Sequence, residues 1–125
     1  MALSQIERIN IGLTDAYQKK GWRVEVRVGF RDESPADVTT LIHRPSPIDM
    51  FSHLYNFYIS EDGKQIKRVV ISGDYNLVIQ ESNAIARTNK VFGLPVKEIR
   101  IPDSHSDSIR VNIYTEDYSE LLNRN

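Results

Sequence analysis

Three histidines, His43, His53 and His105, are the side chains in this sequence best placed to move a proton or bind a metal at neutral pH. No two of them lie two or four residues apart, so no single strand or helix sets a pair on one side. A pair drawn from neighbouring strands, such as His43 with His53 and a nearby lysine, is the arrangement that would serve metal-free phosphodiester cleavage. Asp103, His105 and Asp107 alternate along one polar stretch, and in extended geometry they would offer two carboxylates and an imidazole to a divalent cation. The serine and aspartate around them are equally the composition of a solvated turn, and EF-hand spacing is absent. No metal and no cofactor is therefore assigned. Neither a glycine-rich phosphate loop nor a Gly-x-Ser-x-Gly elbow occurs, and the carboxylate pairs Asp32-Glu33 and Glu61-Asp62 sit in turns where solvation accounts for them. No catalytic residue is named, and a non-enzymatic binding protein is expected ahead of a small hydrolase or nuclease.

Two groups of residues carry the binding alternatives. Arg23, Glu25 and Arg27 fall on one side of a strongly alternating segment, and Arg110, Asn112 and Tyr114 do the same in another. Were those segments neighbours, Arg23, Arg27, Arg110, Asn112 and Tyr114 would cradle a small anionic ligand or nucleotide, or stack the bases of a single strand. The plainer reading is the wet side of a sheet with cross-strand Arg–Glu pairs. The second group is aromatic: Tyr55, Phe57 and Tyr58 point to both faces of one strand, and Ile48, Met50 and Phe51 follow the Pro45-Ser46-Pro47 loop. Aromatic and methionine side chains at a surface are enriched in the centres of protein interfaces, so an association surface is expected here, with a protein partner or a second copy. Packing of that loop over the edge of the core is the competing reading.

The elements that must position these residues follow from periodicity. Ile6, Ile9, Leu13 and Tyr17 form one apolar stripe, Ser4-Gln5-Ile6-Glu7 reads as a capping box, and Gly21 suits a helix end, which predicts a helix over about 4–20. Apolar residues at 22, 24, 26, 28 and 30 against polar ones at 23, 25 and 27 predict a strand with one buried and one wet face. Val38 to His43 is β-branched and ends at Arg44-Pro45. Residues 53–60 and 67–72 flank a Glu-Asp-Gly-Lys turn and form a hairpin. Asp74 is able to cap a helix, but the apolar run Leu77-Val78-Ile79 also reads as a strand. A helix over roughly 78–91, ended by Gly93 and Pro95, is favoured. Segments 96–101 and 109–115 form a last strand pair, and Asp117 opens a short terminal helix using Leu121 and Leu122. The order predicts one α+β domain: a mostly antiparallel sheet of about five to six strands, an N-terminal amphipathic helix, and the second helix packed on one face.

The totals agree. A chain of 125 residues with 40% hydrophobic and 26% charged side chains suits one folded domain. A formal charge of −1 lacks the basic excess that duplex-DNA binding calls for. The absence of cysteine excludes disulfides, thiolate metal sites and thiol nucleophiles, and sets a reducing cytoplasm as the expected location. A basic stretch followed by an apolar one is missing near Met1, and apolar runs such as Val69-Val70-Ile71 are far short of a membrane span, so neither a signal peptide nor membrane insertion is expected.

Overall fold

The stripe of Ile6, Ile9, Leu13 and Tyr17 folds as predicted: in the computed structural model α1 spans Ala2–Gln18. The structure describes residues 2–28, 37–44, 51–60, 63–102 and 107–115. Helix α1 begins ahead of Ser4, whose hydroxyl therefore stands inside the first turn rather than capping it; Ala2 and Leu3 are themselves good helix formers. Ile6 is buried, Ile9, Leu13 and Tyr17 pack on the core beside it, and the buried Asn10 amide oxygen accepts the Thr40 hydroxyl at 2.6 Å. At the helix end Gly21 adopts φ 81°, the Trp22 N–H donates to the Tyr17 carbonyl at 3.0 Å, and the Trp22 ring stacks on Tyr17 at 5.3 Å. The chain therefore reverses straight into the sheet.

Among the described residues eight strands follow: β1 (Arg23–Val28), β2 (Val38–His43), β3 (Phe51–Ile59), β4 (Ile66–Asp74), β5 (Lys90–Val91), β6 (Leu94–Pro95), β7 (Glu98–Arg100) and β8 (Ser108–Tyr114). Six of them make one antiparallel sheet in the order β1-β2-β3-β4-β8-β7, and β5 with β6 forms a separate two-stranded ribbon. The predicted hairpin is β3 with β4, in which Tyr55 faces Ile71 and Phe57 faces Val69. Helix α2 (Tyr75–Thr88) follows β4 without a linker. It starts about three residues earlier than predicted because the Asp74 carboxylate accepts the Leu77 N–H at 3.2 Å, which makes Asp74 the cap. It also ends earlier: Asn89 takes the left-handed conformation, φ 60°, and returns its N–H to the Ile85 carbonyl. The ribbon β5–β6, turning through Phe92 and Gly93, occupies the segment where the helix was expected to finish.

Both helices lie on one face of the sheet, α1 over β1 and β2, α2 over β3, β4 and β8. Tyr55, Phe57, Val69, Ile71, Val78, Val111 and Ile113 have no measurable exposure between these layers. This is the α+β architecture expected. The alternation of β1 is only half realised: Trp22 and Val24 pack on the core, but Val26 is 42% and Val28 77% exposed on the same face. Among the described residues no helix is long and apolar enough to cross a membrane. The predicted terminal helix over Asp117 to Leu122 lies outside the described residues.

Candidate functional site

The pleat and the register decide which side chains meet. On the face turned away from the helices the six-stranded sheet carries Arg23, Glu25 and Arg27 on β1, His43 on β2, Tyr58 on β3, Arg68 on β4, and Arg110, Asn112 and Tyr114 on β8. The five residues expected to form an anion cradle thus share a face, but they do not share a site. Strands β2, β3 and β4 stand between β1 and β8, which at about 4.8 Å per strand separates the two arginine groups by roughly 19 Å. Periodicity within a strand says nothing about which strand lies beside it.

Each group has its own local partners. Arg27 donates to the Glu25 carboxylate at 2.6 Å, Arg23 lies 3.7 Å from it and His43 Nε2 3.3 Å. The Arg27 hydrogen bond holds the Glu25 carboxyl below its ordinary range. At the other end Arg68 stacks over Tyr58 at 4.0 Å, the Arg110 guanidinium donates to the Tyr58 hydroxyl at 3.4 Å, and Arg100 lies over Tyr114 at 5.6 Å.

The aromatic surface expected on β3 is interior. Tyr55 and Phe57 are fully enclosed under the helices and Tyr58 is 5% exposed beneath Arg68, so these three hold the sheet together and are not offered to a partner as the structure stands. Phe51 begins β3, with its side chain outside the description, and Ile48 and Met50 lie outside the described residues. Likewise Asp103 and His105 lie outside them, and of that loop only Asp107 is described, where its carbonyl accepts the Tyr75 N–H at 2.9 Å. Among the described residues no three His, Asp or Glu side chains converge on a point that would hold a metal. His43 and His53 sit on adjacent strands but on opposite faces of the sheet, so one substrate cannot meet both.

Between the layers the fold assembles a polar group that sequence spacing did not reveal. The Tyr55 hydroxyl is 2.8 Å from both carboxylate oxygens of Glu81 on α2, and His53 Nε2 is 3.6 Å from one of them, too long for a hydrogen bond. The His53 ring stacks on Tyr55 at 5.8 Å, Tyr17 tilts over His53 at 6.1 Å, and Phe92 meets Tyr55 edge-on at 5.4 Å. Burial raises the Glu81 carboxyl, against the Tyr55 hydrogen bond that lowers it, and burial depresses His53. Burial also pushes the Tyr17 and Tyr55 phenols up. Phe92 forms one wall of a shallow groove of about 340 Å³ shared with Arg8, Ile9, Gly12 and Leu13; none of the four polar side chains is among these wall residues. The network ties α2 to β3, with the Glu81 side chain still 26% exposed. The one sequence clue was Glu81 itself, a carboxylate next to the buried stripe Val78, Ser82 and Ile85.

The exposed apolar groups gather elsewhere. Among the described residues they are Leu3 (49%) and Ile11 (64%) on α1, Val26 and Val28 on β1, and Ile101 (47%) beyond β7. Strand β1 is an edge of the sheet and pairs within the described residues only with β2, with Val26 and Val28 exposed along it. No protein family matches the chain, and no curated protein or solved structure is significantly similar to it.

Proposed function

We propose that this chain is a non-enzymatic binding protein that docks another polypeptide on the flank formed by α1 and β1. The observation that carries the reading is the coincidence of Val26, Val28 and Leu3, all exposed, with an edge strand that has one neighbour among the described residues. An edge of this kind supplies main-chain hydrogen bonds to an added strand, and alternate side chains supply the apolar contact. The surface differs from the aromatic one expected from sequence because β3 lies in the middle of the sheet and its rings are spent on the core. A benzophenone side chain placed at position 28 tests the reading. Photolysis in cell extract yields adducts with a polypeptide, and the same probe at position 101 yields none. Equal labelling from both positions, or none from 28, overturns it.

A second reading is favoured by one specific observation, the clustering of Arg68, Arg100 and Arg110 around Tyr58 and Tyr114 with Asn112 between them. Planar guanidiniums over phenol rings suit an anionic ligand with an aromatic part, such as a nucleotide. Ligand binding to the native state raises the melting temperature by mass action, and the reading requires a shift with nucleotides that Arg68→Ala and Arg110→Ala remove. A flat thermal-shift screen retires it.

A further inference from the structure

The docking flank has a sequence that matches itself. Read from Val24 to Val28 the strand is Val-Glu-Val-Arg-Val. We propose that β1 pairs antiparallel with β1 of a second copy about a two-fold axis at Val26, joining two six-stranded sheets edge to edge. The inference rests on the α1–β1 reading above and names the partner.

Charge and pleat select this register. Centred on Val26, Val24 faces Val28 of the copy, Val26 faces its own equivalent, and Glu25 faces Arg27 in both directions. Within Val24–Val28 every apolar residue then meets an apolar one on the helix face and Glu25 meets Arg27 on the other, while Arg23 falls opposite position 29. Centring on Glu25 sets that carboxylate against itself and Arg23 against Arg27. Centring on Val24 also pairs Glu25 with Arg23, but it places the exposed Val28 opposite the charged Lys20. A slip by one residue turns valines against charges and is excluded by the same alternation. The Glu25 and Arg27 side chains are about one-third and two-fifths exposed, so both remain accessible for a second pairing while bonded to each other.

Helix α1 supports the same axis. At about 100° per residue, Leu3, Glu7 and Thr14 fall on the flank away from Arg8 and Gly12, and Ile11 lies on the outer side of the helix. Arg8 and Gly12 face Phe92, on the α2 side, so Leu3 falls on the side of the β1 edge. In the paired sheet the two α1 helices run antiparallel alongside the seam, with Leu3 on the seam side of each. The partner has the shape and charge of the chain itself, with two-fold closure.

The sequence contains no cysteine, so single cysteines report the register without interference. In the full-length protein under mild oxidation, Val26→Cys forms a disulfide-linked dimer. Val24→Cys and Val28→Cys each stay monomeric alone, because residue 28 of one copy is about 13 Å from residue 28 of the other. Mixed, those two variants cross-link, since their positions face one another within disulfide reach. In sedimentation, Glu25→Arg weakens self-association and Glu25→Arg with Arg27→Glu restores it, a rescue that damage to the fold would not produce. A silent Val26→Cys together with an active photoprobe at 28 overturns self-pairing and leaves the docking reading standing. Silence of both overturns both. Cross-linking through Val28→Cys alone, or through Ile101→Cys, overturns the register.

Discussion

The two edges of the six-stranded sheet are built differently. At one end β7 is three residues long, carries the Glu98–Arg100 pair at 2.9 Å, and gives way to Ile101 and Pro102. At the other, β1 is six residues long, contains no proline and leaves two valines in the open on the side where α1 carries the exposed Leu3. Short length, charge and a following proline are the usual means of blunting a sheet edge. Only β7 uses all three. The contrast teaches that, among the described residues, exposed apolar surface is concentrated beside the longer and less blunted of the two edges.

The largest expected effect concerns where stability resides, since the contrast fails if the β1 edge is part of the core. Phe57→Ala, in the centre of the sheet, is expected to cost about 3–5 kcal/mol in urea unfolding. Val28→Ala is expected to stay within about 0.5 kcal/mol of the parent. Comparable losses from the two would place β1 in the interior. Next, Tyr55→Phe withdraws the donor from a half-enclosed carboxylate and should cost about 1–3 kcal/mol, read from the same unfolding curves.

A subtler test uses pH. Burial raises Glu81, so its contribution is in place below the ordinary carboxyl value of 4.5 and is lost as pH rises through the raised folded value. Burial depresses His53, whose contribution is in place above 6.5 and is lost as pH falls towards the lowered folded value. The two oppose each other under mild acid. Glu81→Gln removes one side of that balance, so the parent should gain stability relative to the variant as pH falls from neutrality to 4.5. A pH-independent difference would detach Glu81 from the buried network. The smallest effect on folding comes from the edges themselves. Val28→Lys and Ile101→Lys should each shift stability by less than about 0.5 kcal/mol, and only the first should abolish photocapture when the probe is carried at position 26. Loss from both would erase the distinction between the two edges.

Much of the fold was legible because each element keeps one period. Helix α1 showed its stripe, β2 its β-branched run, and β3 with β4 their turn. The start of α2 was hidden because Leu77-Val78-Ile79 satisfies a strand pattern as well as a helical one, and the deciding interaction is a single carboxylate bond from Asp74. The candidate site was less legible for a deeper reason. Whether Arg27 meets Arg110 depends on strand order, and whether Tyr55 meets Glu81 depends on α2 folding back over β3; each is a property of the chain path over tens of residues. Even the exposure of Val28 was invisible, since a perfect alternation predicts a buried side without saying how far its cover extends.

Asp74 ends β4 and begins α2 at one residue, and Tyr75 is tied to the Asp107 carbonyl next to it. The junction therefore acts as a fixed ruler. Inserting one residue there would rotate the whole helix by about 100°, swinging Glu81 away from Tyr55 and turning Val78 and Ile85 off the sheet at the same moment. Natural variation in loop length should accordingly accumulate at other connections and spare this one, which any redesign of the scaffold must keep to the residue.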